Sequence, residues 1–106
     1  MPLASYRFDR DEPWPLAFIN GRLEVRSGCL VLVADDVTYP VMVPDEMAID
    51  SVGRRLVMPG AADLPIGVDV EFGGGQTNRG AYEQLGVTDP NGCLAGRAIL
   101  LVPDLD

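Results

Sequence analysis

Two pairs of carboxylates, Asp35-Asp36 and Asp45-Glu46, flank a short apolar segment and come nearest in this chain to residues placed for chemistry. Neighbouring carboxylates can hold a hard cation through oxygen, or split their pKa values so that one serves as acid and the other as base. If both turns meet at one rim, they define a site for carboxylate-based hydrolysis or for cation binding. The plainer reading is four solvated turn residues, because aspartate is a default turn former. Neither pair has the Asp-x-Asp-x-Asp-Gly spacing of a calcium loop.

The rest of the chemical repertoire is narrow. The chain has no histidine, which removes the commonest general base and transition-metal ligand, and no lysine, which removes Schiff-base and P-loop chemistry. Gly73-Gly74-Gly75-Gln76-Thr77 follows a strand pattern, where a phosphate-cradling turn would sit, but no Gly-Lys-Ser/Thr is present. A dinucleotide fingerprint begun at Gly73 would place its last glycine at Asn78. A barrel kink or bulge that needs glycine is the better account. Cys29 and Cys93 each follow a glycine and read either as one bridge or as two reduced core thiols. Without histidine they are poor zinc ligands and poor nucleophiles. No catalytic, cofactor-binding or metal-binding residue is therefore assigned, and no cofactor is expected. Tyr39, Tyr82 and Phe72 offer a binding platform on a barrel face, with core packing the better use of Phe72.

The elements that would carry these residues are short strands. From Ala17 the chain alternates, Leu23 and Val25 to one side and Arg22, Glu24 and Arg26 to the other, which marks a half-buried strand. Ser27-Gly28 then turns it into the apolar run 29–33, giving a hairpin. Asp35-Asp36 makes the next turn into a strand at 37–43, where Pro40 predicts an edge or a bulge. A loop follows Pro44, with one helical turn, and a fourth strand at 54–58 stops at Pro59-Gly60. Ile66, Val68, Val70 and Phe72 share one face of a strand that the glycine run breaks. Asn78 caps a short helix ending before Gly86, and Asp89-Pro90-Asn91-Gly92 turns the chain toward a last strand at 97–102. The expected core is Leu23, Val25, Leu30, Leu32, Ile66, Val68, Val70, Phe72, Ile99 and Leu101.

A length of 106 residues is one domain's worth. Residues 1–16 read as an N-terminal arm, with Trp14 as a lid on the core, and residues 17–106 as a single domain. Five or six short strands and at most one short helix predict an all-β fold, a small OB-like barrel whose closure removes exposed edges. Sixteen carboxylates against eight arginines give a net charge of −8. That balance repels phosphate backbones, so no nucleic-acid partner is expected, and it favours solubility or a basic partner. No apolar run is long enough for a membrane span. The first seven residues lack the features of an export signal, which predicts a cytoplasmic protein, or an exported one if a leader has been removed.

Taken in order, Gly21-x-Leu23, Gly28-Cys29-Leu30, Pro40-Val41-Met42-Val43-Pro44, Gly67-x-x-Val70-x-Phe72-Gly73-Gly74-Gly75 and Cys93 resemble a family of small bacterial β-domains to which no activity is assigned. The resemblance covers residues 20–102; Met42 stands where an aromatic is usual, and Val68 where an aspartate usually follows the glycine. It implies a bridge between Cys29 and Cys93, with Cα atoms about 4.4–6.8 Å apart, and an exported protein. The residues as a whole predict a non-enzymatic module that binds a protein or small ligand through loops such as those of Asp35, Asp36, Asp45 and Glu46. An immunity- or inhibitor-type protein is the sharper form of that reading. The carboxylate hydrolase or cation-binding domain is the alternative.

Overall fold

Alternating segments and the turns between them set out nine strands and one short helix along residues 3–105, the part of the chain that this computed structural model describes. The strands are β1 (Ser5–Tyr6), β2 (Ala17–Arg26), β3 (Cys29–Ala34), β4 (Val37–Pro44), β5 (Ala48–Ile49), β6 (Arg55–Val57), β7 (Leu64–Pro65), β8 (Asp69–Asn78) and β9 (Arg97–Val102). A 3-10 turn, Arg79–Ala81, leads into the helix α1 (Tyr82–Leu85). Strands β2, β3, β4, β9 and β8 pair side by side in that order and β8 returns to β2, so five strands close a barrel. All its pairings are antiparallel except the β4–β9 seam, where Val41 faces Ile99 and Met42 faces Leu100. The all-β barrel read from the sequence is the fold.

Both tight hairpins follow from residues that accept positive φ. Ser27 (φ 52°) and Gly28 (φ 78°) join β2 to β3, and Asp35 (φ 49°) and Asp36 (φ 64°) join β3 to β4. Two left-handed residues in succession give a turn whose twist matches the strands it connects.

Two apolar layers result. Leu23, Leu30, Leu32, Val41, Val43, Phe72, Ile99 and Leu101 fill the barrel, and Met47, Leu56 and Met58 of the 47–58 segment join them. Strands β5, β6 and β7 thus form a separate meander that covers one end. Tyr6, Met42, Ala98, Leu100 and Val102 form a second cluster outside the barrel, beneath Phe8, Trp14, Tyr82 and Leu85. Because β4 and β9 are covered on both faces along this stretch, their sequences are apolar without alternation. Trp14 is the lid expected: it stacks on Phe8 at 5.7 Å between centroids and donates its indole N–H to the Asp9 carbonyl at 2.6 Å.

Several expectations are corrected. Gly73-Gly74-Gly75 does not break the strand; β8 runs on to Asn78 in unbroken register with β9. Val25 and Val68 are 40% and 52% exposed rather than core. Val25 lies past Arg22, where the pairing of β2 to β8 ends and leaves it without a neighbour on that side, and Val68 precedes β8, beyond a bend at Gly67 (φ 90°). Ile66 and Val70 are only half-buried. Pro40 lies in a strand paired on both sides, and is accommodated because pairing to β9 begins one residue later, at Val41. The fourth predicted strand belongs to the meander, and the segment after Pro44 forms β5 where a helical turn was expected. Asn78 precedes the helical segment but makes no side-chain cap. Truncating Leu101, fully buried, to Ala should cost about 2–5 kcal/mol, against less than about 0.5 kcal/mol for Val25→Ala, measured by chemical denaturation.

The N-terminal segment read as an arm supplies β1, which pairs in parallel with β4, Ser5 facing Val43. It also supplies Tyr6, fully buried, whose hydroxyl donates to the Leu101 carbonyl at 2.6 Å. Burial first, and then the Asp45 carboxylate, push the Tyr6 phenol well above its ordinary value. Below pH about 10 Tyr6 is protonated whether the chain is folded or not. Above that only the unfolded chain releases the proton, so stability falls as pH rises toward the folded-state pKa. Tyr6→Phe should cost about 1–2 kcal/mol at pH 7 and flatten this alkaline decline. Tyr82, raised chiefly by burial, keeps its own share. Equal slopes above pH about 10 in denaturant titrations of both proteins would contradict the assignment.

Candidate functional site

The sequence-predicted carboxylates do not meet. Asp35 and Asp36 turn the chain into β4 and Asp45 and Glu46 follow its end, so the eight residues of β4 separate the pairs by about 26 Å. The shared rim is thus corrected. Asp35 and Asp36 have a conformational task in the hairpin, and Asp36→Gly should leave stability unchanged or raise it by up to about 1 kcal/mol in thermal melts. Asp45 accepts a 3.5 Å hydrogen bond from the Phe8 N–H. Glu46 lines an open, polar cavity of about 590 Å³ beside Arg7, Asp9, Asp11 and Gln84. Among the described residues no three Cys, Asp or Glu gather as a metal ion would require.

The aromatic platform does not form either. Phe72 is inside the barrel, Tyr82 packs on the outer cluster and donates to the Ala95 carbonyl at 2.8 Å, and Tyr39 lines the barrel mouth. That mouth, left open by the meander at the other end, holds a cavity of about 280 Å³ floored by Leu32 and Ile99.

Cys29 and Cys93 are bridged, with Cα atoms 5.5 Å apart. The bond fastens the long β8–β9 connection to the β2–β3 hairpin, reinforced by Asn91, whose Nδ2 donates to the Gly28 carbonyl at 3.1 Å. The backbone N–H groups of Cys93 and Leu94 donate to the Asp89 carboxylate at 2.8 and 2.9 Å, which shapes the turn that presents the cysteine.

The surface feature that sequence reasoning missed lies on β2. Leu16 is 71% and Phe18 77% exposed, and both stand over a groove of about 370 Å³ floored by Gly73, Val102 and Pro103. The register makes this groove: Phe18 faces Gly73, which faces Val102, so the centre of three adjacent strands has no side chain. Glu71 and Asp104 border the groove, and Asp63 borders the depression that continues it. Among the described residues no arginine lines either one. A signal was present: Phe18 occupies the outward register shared with Asn20, Arg22, Glu24 and Arg26, where an aromatic breaks the polar pattern.

On the opposite part of the same strand Arg22 and Arg26 both bond Glu24, and lower its carboxyl below the ordinary range. That end of the surface is an internally satisfied ion network.

Fold and site together define a closed all-β barrel with an uncovered apolar groove. No protein-family model, curated protein or solved structure matches the chain. No described helix is long and apolar enough to cross a membrane.

Proposed function

We propose that the protein is a non-catalytic binding module on an OB-type barrel, and that the Leu16–Phe18 groove is its contact surface for a protein partner. The carrying observation is the pair of large apolar side chains left more than two-thirds exposed over one concavity, which is the usual mark of an interaction site. Numbering only the five barrel strands in chain order, the ring closes as 1-2-3-5-4-1, with the third and fifth parallel. That closure supports the OB reading, whose barrels are Greek-key ligand binders. An immunity- or inhibitor-type role is the form that small size and acidity favour. The disulfide favours an exported protein and supports the resemblance to the bacterial β-domains.

The test is capture of a partner by the immobilised protein, followed by hydrogen exchange of the complex. Protection of the Phe18, Gly73 and Asp104 amides, lost together with capture in a folded Phe18→Ser variant, is the expected result. Protection confined to the Asp35–Asp36 turn would remove the groove from the account. OB barrels also take oligonucleotides, and here charge decides: the protein should not retard single-stranded DNA even at about 50 mM salt. Retardation that fades steeply with salt would instead mean that Arg54, Arg55 and their neighbours form a basic face.

A further inference from the structure

Resting on that reading of the groove, we infer that its partner is a lysine- or arginine-rich protein segment carrying one apolar anchor residue. The groove has an apolar centre and an anionic border at Glu71 and Asp104, with Arg10 and Glu12 together in the adjoining depression past Leu16 and Val102. Gly73 contributes no side chain between Phe18 and Val102, so the opening lies beside Leu16 and Phe18, while Glu71 and Asp104 border it, with Asp63 beyond. Among the described residues, neither Glu71 nor Asp104 has a bonded cation, whereas Asp63 has a long one, 3.7 Å to Arg55. An anionic border disfavours an acidic segment by repulsion and does nothing for a neutral one. A basic side chain satisfies both parts at once: its methylene stem lies along Leu16 and Phe18, and its charged head reaches the carboxylates. The Phe18 ring, open on its surface, adds attraction for the cation itself. The net charge of −8 steers such a partner toward the molecule from a distance.

The probes are three synthetic peptides that share a central Leu-Phe and differ only in flanks of Lys, Ser or Glu, titrated into isotope-labelled protein. The Lys-flanked peptide should shift the Phe18, Gly73, Glu71 and Val102 amides and bind severalfold more weakly as salt rises past the physiological level. The double variant Glu71→Gln, Asp104→Asn should bind it about fivefold more weakly with an unchanged melting curve, as expected for two rim charges. The Ser-flanked peptide should bind more weakly than the Lys-flanked one, and the Glu-flanked one should not bind. Equal binding of the Lys and Ser peptides at these amides overturns the basic partner but keeps the groove as a protein-binding surface. Shifts only at Asp9, Asp11 or Asp35 overturn both. Failure of all three peptides to bind overturns the inference, as does concentration-dependent dimerisation that Phe18→Asp abolishes, which assigns the groove to a second copy of the chain.

Discussion

Gly74→Ala is expected to abolish or nearly abolish cooperative unfolding, while Gly73→Ala, one residue away, leaves it almost intact. Gly74 faces the barrel interior between Ala17 and Leu101, and a Cβ placed there would lie 2.1 Å from the Leu100 carbonyl oxygen. The obstacle is the backbone of β9, so no rotamer change relieves it; β8 and β9 would have to part. A loss of about 4 kcal/mol or more is expected, against a total for a domain of this kind of about 5–15 kcal/mol. At Gly73 the added Cβ points outward and meets Leu16 Cδ2 at 3.5 Å, an ordinary contact. Its cost should stay within about 1 kcal/mol. Guanidinium midpoints for the two variants provide the measurement, and similar midpoints would show that the three strands are not as close as described.

Replacing both cysteines by serine should have the next largest effect. The bond spans 64 residues, so chain entropy alone predicts a loss of about 4 kcal/mol. For a domain of this size that lowers the melting temperature by roughly 15–25 °C. Amide exchange should rise first in the β8–β9 connection and in β1, because Ser5 and Thr88 exchange two backbone hydrogen bonds at 2.8 Å and loosen together. A fall of only a degree or two would mean that Asp89 and the outer apolar cluster hold the connection unaided.

What the sequence made legible was whatever depends on neighbours in the chain. The hairpin at Ser27-Gly28, the strand at 97–102 and the turn at Asp89 all follow from period and from residues that tolerate unusual φ. The errors arise where a distant strand decides the outcome. The three glycines read locally as a break, but Gly73 and Gly75 admit Leu16 and Pro15 across the outer face, and Gly74 admits β9. Tyr6 sits in a polar stretch without periodicity, and only the pairing of β1 to β4 turns it into core. The shared acidic rim failed for a similar reason, since flanking one strand means lying at its opposite ends. The groove was half legible: Phe18 stood out of pattern, whereas its partner Gly73 is visible only through the register.

The parallel seam between β4 and β9 also governs when this protein can fold. Val41 and Ile99 must find each other across more than half the chain, and β1 waits on the same β4 edge region for its place. During synthesis the first three barrel strands can form their two hairpins as soon as they emerge, but no ring exists until residue 102 has left the ribosome. Loop-closure entropy of that size places such topologies in the millisecond-to-second range of folding rates. Until then the inner faces of Leu30, Leu32 and Val41 stand open to water. A chaperone or a vacant neighbouring strand has its one opportunity in that interval.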